Sequence, residues 1–420
     1  MPRLIVMTHA LDPGAGGPEG FVTRQLLEAL AAEGWPGGVT VITSGGIPED
    51  RHGRPLSQAP GWRFHTIPAP GWSAKKGWAT RAANRISHLY VGESAKIGLW
   101  ARAAARALDS ELDSDPQAIV YSRMLPFVSL RAAGLVRRKR QFRWLASFND
   151  PVPSDIWPAV YAANSWSCRL ARRGLKQFLP WIGGYTFPSI RMRELQVRAF
   201  PEMAARPFRI LPHIARPRDP MPVHRGPVLE IALAGNVRKQ CVDTAFLGAL
   251  RRFTQEYPER ARSTRFCYHL WIQLGKREER FRDTDAEIRV TYGLRGAELD
   301  REIANANVLL DLEEPIYAPL LVTKLANYMA FARPVWAICA RGGTAWDLVL
   351  RAGGYVSEAG NEASILETLL AIHSDWTTGV SRPVPGEVAE RFRPATQVRA
   401  LQELCDEING GPATNPVAWP

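Results

Sequence analysis

Residues 3–45, "RLIVMTHALDPGAGGPEGFVTRQLLEALAAEGWPGGVTVITSG", decide the fold class. A short apolar run rich in branched residues (3–9) leads into the Gly-rich loop "DPGAGGPEG", then into an amphipathic helical stretch from Phe21 that Gly34 closes, and at once into a second apolar run. A strand, a loop, a helix and another strand in that order open a doubly wound α/β domain. Working outward, "WRFHTIP", "AIVYSRM", "RWLASFN" and "IGGYTFPS" read as further strands separated by helical or basic stretches.

Between Leu211 and Pro227 the chain carries prolines at 212, 217, 220, 222 and 227. That density suits neither a helix interior nor a central strand, so it marks an interdomain linker. Beyond it the pattern restarts. "VLEIALAGN", "FCYHLWIQLG", "IRVTYG", "NVLLDLE" and "PVWAICA" read as strands, and "DTAFLGALRRFTQEY", "GAELDREIANA", "LLVTKLANYMAFAR", "TAWDLVLRAG" and "NEASILETLLAIHSDW" as helices. The expected domains are an N-terminal Rossmann-like domain over 1–216, a C-terminal one over 217–385, and a segment 386–420 in which an amphipathic helix packs back across the junction before a loose tail. Two successive α/β domains would place a cleft between the carboxyl edges of their sheets.

The 420 residues are 46% hydrophobic and 22% charged, an ordinary composition for a protein with two cores. No apolar run reaches the roughly 20 residues that cross a bilayer, and Met1 leads into an apolar run without a signal-peptide layout. The expected location is cytoplasmic, extending to the inner face of the plasma membrane if basic segments bind lipid. Five scattered cysteines without CxxC spacing point to reduced core residues rather than to disulfides or zinc. The net charge of +12 is uneven: up to Gly226 there are 31 Lys+Arg against 16 Asp+Glu, leaving 22 against 25 for the rest. Arg and Lys alternate with Trp, Phe and Leu in 72–85, 131–144 and 165–181. Such segments suit an anionic membrane surface or a polyanionic substrate, or form a solvated face. No nucleic-acid motif accompanies them.

In "YAPLLVTKLANYMAFARPVWAI" (317–338) a single cation, Lys324, stands near the start of the helical stretch. A cation there opposes the helix dipole, which calls for a nearby anion.

The order of five segments resembles the glycosyltransferase family 4 enzymes of GT-B fold, in particular those that build bacterial surface polysaccharides. They are "DPGAGGPEGFVTRQLLEALAAEGW" (12–35), "ALAGNVRKQCVDTAFLGAL" (232–250), "LRGAELDREIANANVLLDLE" (294–313), "TKLANYMAFARPVWAI" (323–338) and "GGTAWDLVLRAGGYV" (342–356), with "SFNDP" (147–151) as a further likeness. The resemblance implies an α/β GT-B fold, two doubly wound Rossmann-like domains facing a central cleft. It implies a retaining, metal-independent sugar transfer from a nucleoside-diphosphate sugar to a carbohydrate or lipid-linked saccharide, without a cofactor. It places Gly16, Gly17, Gly235, Asn236, Val322, Thr323 and Asn327 around the donor, and gives Arg238, Lys239 and Lys324 the task of neutralising the departing diphosphate.

Two departures accompany it. The family's pair of glutamates aligns with Pro319 and Asn327, of which only Asn327 can accept a hydrogen bond from a ribose hydroxyl. The family histidine of the N-terminal domain aligns near Met124, so Asn149 or Asp150 would take over acceptor positioning. These losses favour, as alternatives, a catalytically degenerate GT-B protein serving as a binding or scaffold partner and, more distantly, a sugar-nucleotide epimerase. An anionic membrane surface joins donor and acceptor among the expected partners.

Overall fold

A computed structural model of the chain describes residues 1–9, 11, 17–50, 52–68, 95–123, 127–153, 156, 166–215, 226–235, 244–271, 273, 275 and 279–411. The chain divides into two units. One comprises Met1–Ile214 together with the segment that begins at Pro394, and the other Ala215–Arg393. The crossings fall at 214/215 and 393/394, where the sequence reading set boundaries at 216/217 and 385/386; residues 216–225 of the Pro-rich stretch lie outside the described residues.

The first unit holds seven parallel strands: β1 (Leu4–Thr8), β2 (Val39–Thr43), β3 (Trp62–Thr66), β4 (Ile119–Arg123), β5 (Arg143–Ser147), β6 (Gly184–Phe187) and β7 (Phe208–Ile210), in the order β3-β2-β1-β4-β5-β6-β7. β1 pairs β2 with Leu4 opposite Val39, and β4 with Leu4 opposite Ile119. All five side chains of β1 are buried, as expected of a strand covered on both faces. The helix after β1 runs from Gly17 to Glu33, four residues earlier than its amphipathic pattern, and ends at Gly34 in the left-handed conformation (φ 74°) that glycine adopts without strain. Its Leu26, Leu27 and Leu30 pack on Leu4, Val6, Val39 and Val41. The same core takes in Val398, Leu401, Leu404 and Cys405 from the last described helix, Pro394–Ile408. That helix is held by its apolar stripe and by buried Arg209, whose guanidinium donates to Glu407 at 2.9 Å.

The second unit holds β8 (Leu229–Ala234), β9 (Thr264–Leu270), β10 (Glu287–Tyr292), β11 (Val308–Leu312), β12 (Val335–Cys339) and β13 (Tyr355–Glu358), in the order β10-β9-β8-β11-β12-β13, again all parallel. One face of this sheet buries Leu229, Ile231, Leu233, Leu310, Leu312, Trp336 and Ile338 against the helices 244–256 and 362–378. The alternate residues of β8 and β11, among them Ala232, Ala234, Asp311 and, one residue past the strand, Glu313, belong to the opposite face. In both sheets the chain reverses direction across the order between the first and fourth strands, at β1/β4 and β8/β11.

The helical stretch 320–333 contracts to Thr323–Tyr328. Two residues downstream set its end: Ala332 adopts φ 50°, a region that costs a side chain roughly 1–2 kcal/mol, and Pro334 keeps Arg333 from helical geometry. Arg333, nearly fully buried, donates from Nη2 to the Ala304 carbonyl at 2.7 Å and fixes the turn. Ala332→Gly is expected to stabilise the second unit by about 0.5–1 kcal/mol, because glycine meets this φ without the steric penalty. An upward shift of the urea midpoint with an unchanged slope is the expected result; no shift would mean that the turn carries no strain at Ala332.

Candidate functional site

The carboxyl edge of the second sheet gathers the polar side chains that an apolar α/β core would otherwise exclude. Just past β8 stands Gly235, whose φ of 108° requires glycine and whose N–H donates to the His269 carbonyl at 2.9 Å. A side chain added there would meet Lys324 Cδ at 3.8 Å, so the sequence-predicted donor residues Gly235 and Lys324 do lie together. The last N–H of β8, on Ala234, donates to the Tyr328 hydroxyl at 2.8 Å, which ties the 323–328 helix over this edge. Burial pushes the Tyr328 phenol up to about 12.

The anion that Lys324 meets within the chain is Asp311. Its Nζ lies 2.6 Å from Oδ1 of that fully buried aspartate, and the lysine side chain keeps 20% of its surface exposed. This explains the placement better than the helix dipole, because a helix of six residues develops little of one. Glu313 sits two residues on and is buried as well. Its carboxyl is pushed well above the usual carboxylate range, first by burial and then by the Asp311 charge, against which Lys324 works in the opposite direction. Glu313 Oε1 accepts no hydrogen bond from a described residue, a costly state for an ionised group and a cheaper one for a neutral acid. On β9 the buried His269 has its pKa lowered by burial, and its Nδ1 also has no hydrogen-bond partner among the described residues. Asn327 donates from Nδ2 to the Thr323 carbonyl at 3.0 Å, so its amide oxygen is the atom it can offer as an acceptor.

The carboxyl edge of the first sheet carries a second buried polar set. Asn149, just past β5, donates from Nδ2 to both carboxylate oxygens of Glu19, at 2.9 and 2.8 Å. Arg123 at the end of β4 donates to Glu19 at 3.3 Å and to the Thr23 hydroxyl at 2.9 Å. Glu19 stands in the first turn of the 17–33 helix, where a carboxylate complements the dipole. Arg123, Asn149, His213 and Gln397 line one small cavity here. Asp150, next to Asn149, is half-buried and stands outside this cavity lining.

Of the remaining sequence-predicted site residues, Gly16, Met124, Asn236, Arg238 and Lys239 lie outside the described residues, and Gly17 is the first residue of its helix. Val322 precedes, in extended backbone, and Thr323 begins the six-residue helix that carries Lys324. Sequence reasoning missed Asp311, Glu313, Glu19 and Arg123. The first two had a signal: in "NVLLDLE" the period of two puts Asp311 and Glu313 on one face and Leu310 and Leu312 on the other. Among the described residues no group of His, Cys, Asp or Glu is arranged to hold a metal ion, and no helix is long and apolar enough to cross a membrane. Of the tryptophans in the basic segments, Trp144 is fully buried and therefore unavailable to a membrane, a correction to its reading as part of an interfacial patch. Trp72 and Trp78 lie outside the described residues, Trp181 is half-buried, and Trp166 is 56% exposed.

No family model and no curated protein matches the chain. Solved structures do share its fold. The sucrose-phosphate synthase of Thermosynechococcus elongatus aligns over 98% of this chain and 100% of its own, at 15% identity and a TM-score of 0.64. A trehalose-6-phosphate protein of E. coli bound with UDP-2-fluoro glucose aligns over 96% and 99%, at 12% identity and 0.59. A putative UDP-N-acetylglucosamine 2-epimerase of Listeria monocytogenes aligns over 99% and 98%, at 12% identity and 0.54. The chain has the GT-B fold, in agreement with the sequence resemblance.

A raised carboxyl pKa has a consequence for stability. The folded state holds the Glu313 proton more tightly than the unfolded chain does, so the contribution of Glu313 is greatest below its ordinary value of 4.5 and is lost as pH rises toward the folded value. Glu313→Gln, an isostere of the neutral acid, removes that loss. The stability of the variant relative to the wild type is expected to climb above pH 4.5 by up to about 1.4 kcal/mol per pH unit until the folded value is passed. Urea midpoints of both proteins over a pH series measure this, and a constant gap would show that Glu313 ionises normally.

Proposed function

We propose that the chain is a retaining, metal-independent glycosyltransferase that moves a sugar from a nucleoside-diphosphate sugar to a carbohydrate acceptor, lipid-linked and met at the cytoplasmic membrane face. The observation that carries this reading is Lys324 beside Gly235 at the β8/β11 switch of the second sheet, where open α/β sheets bind ligands. The fold shared with a synthase of sucrose phosphate and with a protein bound to UDP-2-fluoro glucose supports it.

In this reading the departing diphosphate gains negative charge as the glycosidic bond breaks, and the ammonium of Lys324, held beside Asp311, meets that charge. Arg238 and Lys239, three and four positions beyond Gly235 in the sequence, would share the task. Gly235 lets the main chain approach the phosphates, and the amide oxygen of Asn327 accepts from a ribose hydroxyl, more weakly than the family carboxylate would. In the same reading Gly16 and Gly17 serve donor binding, and Asn149, held by Glu19, serves the acceptor. The leaving phosphate takes the acceptor proton, so no side-chain base is needed. The competing reading, a degenerate GT-B binding partner, is favoured by Pro319 and Asn327 in place of glutamates and by the neutralisation of Lys324 within the chain.

A membrane-facing acceptor is supported by the helix Trp166–Phe178. Arg169, Arg172, Arg173 and Lys176 line a shallow, open depression on it, and the exposed Trp166 stands at its start. Basic side chains with an aromatic at their margin suit an anionic lipid surface. Replacing Arg169, Arg173 and Lys176 by Gln is expected to weaken sedimentation with acidic vesicles at low salt, by about 1 kcal/mol per charge. Binding unchanged by the substitutions, or absent at every salt concentration, would remove the membrane from this reading.

Lys324→Ala tests the donor site. It leaves Asp311 buried and uncompensated, so it is expected to cost about 3–5 kcal/mol of stability, most of which Asp311→Asn in the same chain returns. The double variant should fold, yet release nucleoside diphosphate from UDP-, GDP-, ADP- and dTDP-sugars on the order of a hundredfold more slowly than the wild type, with nucleotide binding less affected. A folded double variant of unchanged turnover would take Lys324 out of the chemistry.

A further inference from the structure

The contact between Lys324 and Asp311 gives the carboxyl edge of the second sheet a charge balance that an anionic ligand must meet. Asp311 and Glu313 stand two residues apart on one face of β11, within hydrogen-bonding reach of each other, and Lys324 lies 2.6 Å from the first. With both carboxyls ionised the set carries one net negative charge; with one proton on the pair it is neutral. Neither Asp311 Oδ2 nor Glu313 Oε1 accepts a hydrogen bond from a described residue, although both are buried. A second charge has no solvation there, whereas a proton on Glu313 turns the neighbouring carboxyls from repelling groups into donor and acceptor.

The ionisable groups around Glu313 are Asp311 on its own strand, the adjoining Glu314, Lys324 and Tyr328 on the 323–328 helix, and Cys339 on β12, with Asp347 beyond Cys339. Burial holds Tyr328 and Cys339 protonated across the neutral range.

We propose that Asp311 and Glu313 belong to the diphosphate site as a proton-dependent counter-charge to Lys324: with a proton on the pair these three groups are together neutral and favour a nucleoside diphosphate, and with that proton lost their added negative charge disfavours it. The inference rests on the donor-site reading given above. Asp311 is then a positioning residue, which fixes where the ammonium of Lys324 stands. Glu313 sets the sign of the site. Linkage runs both ways, since a bound diphosphate holds the Glu313 proton as firmly as that proton favours the diphosphate.

Calorimetric titration of the full chain and of Glu313→Gln with UDP, GDP, ADP and dTDP, between about pH 5 and about pH 9, tests this. The affinity of the wild type is expected to fall relative to that of the variant as pH rises, approaching about tenfold per pH unit above the Glu313 titration. The ionisation of the ligand is common to both proteins and cancels. The wild type, titrated in two buffers of different ionisation heat, should also take up a proton on binding in that range. Parallel profiles, or no proton uptake anywhere, would overturn the inference and leave the donor site standing. Failure of all four nucleotides to bind either protein would overturn both.

Discussion

Parallel pairing of the first strand of each sheet with the fourth, β1 with β4 and β8 with β11, is the constraint on which the rest of the architecture depends. Because every strand runs the same way, the carboxyl ends share one edge, and the chain must return over a face of the sheet between strands. Where the return path switches sides, successive connections leave over opposite faces and a crevice opens at the carboxyl edge. Gly235 and Glu313 stand beside that switch in the second unit, and Arg123 at its counterpart in the first. Buried charged residues therefore stand at both switch positions, Glu19 and Arg123 in the first unit and Asp311 and Glu313 in the second.

The two edges meet the cost of buried charge in different ways. In the first unit Glu19 is surrounded by donors from Asn149, Arg123 and Thr23, so its charge is fully answered by the chain. In the second, Lys324 answers Asp311, and Glu313 has burial and a like charge against its ionisation. A satisfied network of the first kind rigidifies; an incompletely satisfied one of the second kind remains responsive to whatever charge arrives.

The fold was legible because periodicity and punctuation agree. Continuous branched runs such as Leu4–Thr8 and Val335–Cys339 became central strands, and the prolines from 212 to 227 fell where the chain passes from one unit to the other. Two short strands, Phe208–Ile210 and Tyr355–Glu358, escaped notice: three or four residues carry too little alternation to stand out, and their pairing comes from the sheet. The long helix expected over 320–333 failed because Ala332 can take a left-handed φ that its residue type does not announce. Lys324 was found from its place in the sequence, but its partner was not, since Asp311 lies thirteen positions upstream inside a run otherwise read as apolar. Sequence spacing reveals neighbours on one element; a contact between a strand and a helix appears only once the sheet has placed them.

The return of the final helix to the first unit bears on how the protein is made. The seven strands of that unit have all left the ribosome once Ile210 has emerged, yet Leu26 and Leu30 lack the cover that Val398, Leu401 and Leu404 give them. At the usual pace of translation the intervening residues take on the order of ten seconds or more to be synthesised. During that interval a complete sheet carries an uncovered apolar surface, the kind of surface that chaperones hold. The half that begins the chain waits for residues 394–408 to complete its core.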